Sequence, residues 1–142
     1  MMKILIPVDG SPSSLHAVEH VIASVDWLKS PPEIFLLNVQ WKLATGNVKL
    51  FISQETINDY YREQGEAALA AARAKLDAAG LPYTYHISVG APADAIIQYA
   101  QAHQTDQIVM GAHGQKTLSS MLLGSIAGKV AHLSDVPVLL VK

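Results

Sequence analysis

Ile4-Leu5-Ile6-Pro7-Val8-Asp9-Gly10-Ser11-Pro12 reads as strand, turn and helix start in a single stretch. The unbroken apolar run suits a strand buried on both faces. Asp9-Gly10 turns the chain, Ser11 is an N-cap type, and Pro12 fits the first turn of a helix. The same order recurs where Gln107-Ile108-Val109-Met110 runs into Gly111-Ala112-His113-Gly114. Nine residues after that turn, Gly124-Ser125 opens another apolar-periodic stretch.

The rest of the chain fills in an alternation. Leu15, Val18, Ile22, Val25 and Leu28 recur at spacings of three and four, one helical stripe that stops before Ser30-Pro31-Pro32. Residues 34–39 form a second buried strand. From Trp41 to Glu55 no period is clean, and the segment is longer than most connections, so it reads as a functional flap or a partner-contacting loop. A long alanine- and glutamate-rich helix follows over 57–79 and ends at Gly80-Leu81-Pro82. Residues 83–89 make a third strand nearer an edge, and Gly90-Ala91-Pro92 turns into a helix carrying Ala93, Ile96, Ile97 and Ala100. Ile108-Val109-Met110 is the fourth strand, residues 125–134 the last helix with Ile126, Val130 and Leu133 inward, and Val136-Pro137-Val138-Leu139-Leu140-Val141 the fifth strand. Alternating buried strands and helices imply an α/β fold, a parallel sheet covered on both faces with right-handed crossovers. Ligands of such sheets sit at the carboxyl ends of the strands, where chain order reverses. Here Pro7-Val8-Asp9-Gly10 and Met110 to Gly114 would flank that crevice.

Composition narrows the partners. A chain of 142 residues fits one domain spanning 1–142, and half of its residues are hydrophobic while 15% are charged. A net charge of −2 with two arginines gives no basic face for nucleic acid. The absence of cysteine removes disulfides, thiolate nucleophiles and Cys-ligated metals. The apolar run before Asp9 is too short for a signal-peptide core, and no span of ~20 apolar residues follows, so the expectation is a cytoplasmic protein with no membrane contact.

The chemistry suited to the glycine turns is nucleotide phosphate binding. Glycine lets backbone approach a ligand, and a helix N-terminus offers unpaired N–H donors to phosphate oxygens. Ser125 can serve as N-cap and as phosphate ligand at once, Asp9 either orders its turn or touches ligand, and His113 lies where its imidazole can reach a phosphate. His16 and His20 are spaced i, i+4 without a third ligand, which leaves metal unsupported. Gly124 to Val130 resembles a P-loop only superficially, since three residues separate its glycines and Val130 replaces the magnesium-binding hydroxyl. The dinucleotide fingerprint and the Gly-x-Ser-x-Gly elbow are absent as well. For phosphoryl transfer the site offers Asp9, His113, Lys116 and Lys129, which predicts slow chemistry at most.

Along its whole length the chain resembles the universal stress protein family. The carrying residues are Ile6-Pro7-Val8-Asp9-Gly10-Ser11, Asn38-Val39, Gly90-Ala91-Pro92, the closing strand and, most specifically, Gly111-x2-Gly114-x9-Gly124-Ser125, the spacing of the ATP-binding branch. The resemblance implies an open five-stranded parallel sheet of order 3-2-1-4-5 that holds ATP, or another adenine nucleotide, with Mg²⁺. Asp9 and the backbone of Val39 would face adenine, Met110 and Gly111 the ribose, and His113, Gly114, Gly124 and Ser125 the phosphates, with Pro7, Val8 and Ile126 completing the wall. Ala112 departs from the pattern, because the family often carries a hydroxyl there. A homodimer through the fifth strand is also implied. The resulting expectation is a nucleotide-dependent regulatory module of the stress response. The alternatives are a weak ATPase or self-phosphorylating enzyme using Ser119, Ser120 or Ser125, and a dimerisation scaffold with an unused site.

Overall fold

The computed structural model describes residues 1–42, 52–114 and 123–142. Five strands, β1 (Lys3–Pro7), β2 (Glu33–Gln40), β3 (Tyr83–Val89), β4 (Gln107–Gly111) and β5 (Val138–Val141), form one parallel sheet in the order β3-β2-β1-β4-β5. Helices α1 (Pro12–Ser24), α2 (Gln54–Ala78), α3 (Pro92–Ala102) and α4 (Ser125–Leu133) connect them. The residues between 42 and 52 and between 114 and 123, including Lys116, Ser119, Ser120 and most of the expected flap, lie outside the described residues.

Alternation along each central strand builds two cores at once. Ile4, Ile6, Ile34, Leu36 and Val109 pack with Ala17, Val18, Val21, Leu69, Ala72 and Leu76, which places α1 and α2 on one face. Leu5, Phe35, Leu37, Ile108 and Met110 pack with Ala93, Ile96, Ala100, Ala127 and Val130, which places α3 and α4 on the other. The faces change because the first two crossovers step outward to β3 and the next two return through β4 to β5, each with the same hand.

Ser11 caps α1 as its sequence suggests, its side chain accepting from Ser14 N–H at 3.2 Å, with Pro12 next and Gly10 at φ 84° in the turn. The helix is shorter than its apolar stripe: it ends at Ser24, and Val25–Trp27 is a 3-10 turn. Its buried line is Ser13, Ser14, Ala17, Val18 and Val21, with Leu15 and Ile22 only partly covered. Small residues face the sheet because α1 approaches β4 closely. A Cβ on Gly111 would stand 2.7 Å from the backbone of Ser13 and Ser14.

Other boundaries shift for local reasons. Helix α2 begins three residues early at Gln54, since Ser53 caps it through Thr56 N–H at 3.1 Å. In α4 the inward residues are Ala127 and Val130; Leu133, expected inside, is 42% exposed, and Ile126 is partly buried. The fifth strand begins at Val138, not Val136. Val136 N–H is taken by Ser134 Oγ at 3.1 Å, and Pro137 enters only through its carbonyl, which accepts from Ile108 N–H at 3.0 Å. Among the described residues no helix is long and apolar enough to cross a membrane.

Candidate functional site

Strand β1 pairs with β2 as far as Pro7↔Leu37, and β4 pairs with β5 as far as Gly111↔Val141, but β1 and β4 pair only at Ile4↔Gln107 and Leu5↔Ile108. Beyond Leu5 these two strands part at their carboxyl ends, where the order of the chain reverses. A cavity of about 350 Å³ opens there, within the range of small-molecule sites.

Its wall carries Pro7, Val8, Asp9, Val39, Met110, Gly111, His113, Gly114, Ser125 and Ile126. Of the expected nucleotide-contacting residues, Gly124 alone is not on this wall and stands just behind it. Gly124 N–H donates to Ala112 O at 2.8 Å, and a Cβ on Gly124 would lie 3.2 Å from Gly114 N and 3.3 Å from Ala112 O. This glycine lets the start of α4 lie against the turn after β4. It is also the N-cap of α4, so the capping role considered for Ser125 belongs to Gly124; Ser125 is the first helical residue and is exposed at the cavity. Gly111, assigned to the ribose, is bare chiefly because α1 lies against it.

The turn Gly111-Ala112-His113-Gly114 is fixed from three sides. Ala112 N–H donates to Val141 O at 2.7 Å, Ala112 O accepts from Gly124, and His113 N–H donates to Ser13 Oγ at 3.2 Å, while Ser13 Oγ donates to Val141 O at 3.0 Å. Buried Ala112 is thus a hinge pin of the loop, and its backbone does the holding. The His113 ring is different: both Nδ1 and Nε2 are buried and meet no hydrogen-bond partner among the described residues. Across the crevice Asp9 Oδ1 accepts from Ser11 N–H at 2.9 Å, and Oδ2 lies 3.4 Å from the point where a Gly114 Cβ would stand.

On the β2 side the backbone is equally ordered. Val8 N–H donates to Leu37 O at 2.8 Å, so Leu37 presents its peptide groups toward β1, and Gln40 O accepts from Gly90 N–H on the β3 side at 2.9 Å. Alternation then turns the N–H and C=O of Val39 toward β1, one step past the last β1–β2 pair and so toward the crevice. Asn38, 2% exposed, locks this end by donating from Nδ2 to Val8 O at 2.8 Å and accepting from Gln40 Nε2 at 2.6 Å.

Ser13, Ser14, Trp41, Pro92 and Ile96 stand outside the site residues expected from the sequence. Ser14, Trp41, Pro92 and Ile96 line the cavity, and Ser13 anchors the turn. The two serines carried a signal, being small polar residues at inward helix positions where apolar ones are expected. Lys129, considered for phosphate chemistry, instead pairs with Asp94 at 3.6 Å. Among the described residues no group of three or more His, Asp or Glu side chains could hold a metal ion.

The universal stress protein family model matches residues 1–142. The chain belongs to the universal stress protein family. Among its relatives, universal stress protein MJ0531 of Methanocaldococcus jannaschii is 32% identical over 140 residues, covering 99% of this chain and 81% of the relative. The solved structure of MJ0577, a universal stress protein of the same organism, superposes with a TM-score of 0.84 at 30% identity, covering 99% of this chain and 95% of that one. A universal stress protein solved in complex with cAMP superposes at 0.69 with 26% identity, covering 99% and 97%. These matches agree with the observed sheet order and with its helices on both faces.

Proposed function

We infer that this universal stress protein binds an adenine nucleotide, ATP with Mg²⁺, across the β1/β4 crevice and acts in the cytoplasm as a nucleotide-dependent regulatory module of the stress response. The observation that carries the reading is His113. An imidazole buried with neither nitrogen bonded to a described residue costs on the order of 1–3 kcal/mol unless a ligand completes it, and it stands on the cavity wall beside the first residues of a helix. The phosphates belong on this side, over Gly114 and Ser125, where backbone donors and the α4 dipole favour negative charge. The relative solved with cAMP supports an adenine nucleotide as the occupant. Magnesium would enter with the triphosphate, held mainly by phosphate oxygens and water, since Asp9 is the one carboxylate on the described wall.

Calorimetry with ATP, with and without magnesium, tests this reading against His113→Leu. Leucine fills the ring's space without polar atoms, so the fold should be as stable as the parent or more so, while affinity should fall roughly 10- to 100-fold through loss of a bond to a charged group. A parent protein that takes up no adenine nucleotide would overturn the reading. Unchanged affinity in His113→Leu would remove its principal support.

A further inference from the structure

Trp41 is the first residue beyond β2, it lines the cavity, and it is 61% exposed. A large indole left in water at the lip of a binding cavity is an unusual use of the side chain most often kept covered. Its attachment point is firm, because Gln40 pairs with Val89 and its carbonyl holds Gly90, so the rigid sheet ends directly beneath Trp41. We propose that Trp41 stacks on the purine base of the bound nucleotide and sets a preference for purines over pyrimidines, an inference that rests on the adenine-nucleotide reading of the cavity.

The strand order supplies the geometry. β2 and β4 flank β1, so their carboxyl ends are two inter-strand spacings apart, about 10 Å. The anion-seeking groups, His113, Gly114 and Ser125, all belong to the β4 side. The opposite end of the cavity is lined by Leu37, Val39, Trp41, Pro92 and Ile96 together with Asn38 and Gln40, whose amides bond to Val8 O and to each other. A nucleotide with its phosphates on α4 therefore carries its base to the β2 end, where the Val39 peptide groups face the crevice and can meet the base edge. The indole then offers a face to the base, a contact any base can make and the larger purine makes best. Pro92 and Ile96 at the start of α3 give that end a fixed apolar wall.

The chain has two tryptophans, and the other, Trp27, sits on the 3-10 turn after α1, so Trp27→Phe leaves Trp41 as the only indole reporter. In that background, titration with Mg-ATP should change Trp41 emission saturably, at the same midpoint that calorimetry gives. Trp41→Ala, an exposed position whose melting temperature should not move, should weaken ATP roughly 5- to 100-fold, and Trp41→Phe should recover most of the loss. CTP should bind the parent more weakly than ATP, and the gap should narrow in Trp41→Ala. Calorimetric binding of ATP with parent affinity in Trp41→Ala, or with no change in Trp41 emission, would overturn the stacking while leaving the nucleotide site standing. Emission that follows protein concentration instead of nucleotide would likewise overturn it and assign Trp41 to a contact between proteins. Absence of any heat with ATP in the parent would overturn both the site reading and the stacking.

Discussion

Gly124 and Ser125 show how two adjacent residues with one sequence signature divide their duties. The pair reads naturally as a helix cap, and serine is the better capping type. The backbone decides otherwise: Gly124 occupies the cap at φ −60° and ψ 148°, and no side-chain cap bond is made. Ser125→Ala should accordingly change stability by less than about 0.5 kcal/mol, as an exposed surface change does, while lowering nucleotide affinity; a thermal melt beside calorimetry separates the two effects. Gly124→Val should behave in the opposite proportion. Its branched side chain meets Gly114 N and Ala112 O in fixed backbone, so the turn must shift, costing about 1–3 kcal/mol and abolishing binding together. Parent-like melting in that variant would mean that the packing of Gly124 against the turn is slack. The glycine spacing was legible in the sequence because turns and helix starts punctuate it; which glycine serves ligand and which serves packing was not, since that depends on where α1 crosses β4.

Among the elements, α2 contains the least expected choice. Gly65 sits in the middle of a 25-residue helix, where glycine costs about 1 kcal/mol relative to alanine. A Cβ there would come within 2.6–2.8 Å of three atoms of Ile87 on β3, so the glycine lets the helix lie close on the edge strand. Gly65→Ala should therefore destabilise despite its better helix propensity, by about 1–3 kcal/mol, and combining it with Ile87→Ala should cost less than the sum of the two changes in denaturant titrations. On the opposite face, Tyr99 of α3 stacks on His103 at 3.9 Å between ring centres, and burial holds its phenol above the usual value. Its contribution to stability is complete below the phenol's unfolded value near 10 and is lost as pH rises through the raised folded one. Melts across that alkaline window should fall more steeply for the parent than for Tyr99→Phe. The strands were legible because buried parallel strands are continuous apolar runs, and the third was recognised down to its ends, Tyr83–Val89. The inward lines of α1 and α4 were read only in part, at Val18 and Val130, because periodicity marks apolar side chains while close helix–sheet contact selects serine and alanine beside them. That both faces of the sheet are covered was legible from the same runs; which strand residue serves which core was not, because an unbroken apolar run carries no alternation to read.

At the scale of the molecule, the sheet has two edges, β3 and β5, and they are guarded differently. Along β3, Tyr83 and Tyr85 are bonded to Arg73 and Glu66 of α2, which brings charge to that edge. β5 carries only apolar side chains, all partly buried, with Lys142 beyond it. We propose that β5 pairs with its own copy about a two-fold axis, which aligns the strands antiparallel and leaves each nucleotide cavity open on its own protomer. The ladder tells which groups do this. Pro137 O and Val141 O accept from Ile108 of β4 and from Ala112 just beyond it, so the peptide groups of residues 137, 139 and 141 face inward and those of Val138 and Leu140 face the open edge. Leu139 packs against the core shared with α1, so Leu139→Glu should unfold the protomer as well as split the pair. Val138→Pro is the sharper change: it removes an outward N–H at the first residue of the strand, where proline is tolerated, and leaves the bonds to β4 intact. Sedimentation at micromolar concentration should show a parent dimer and a folded Val138→Pro monomer, and a parent monomer, or a Val138→Pro dimer as tight as the parent, would rule out β5 as the joint.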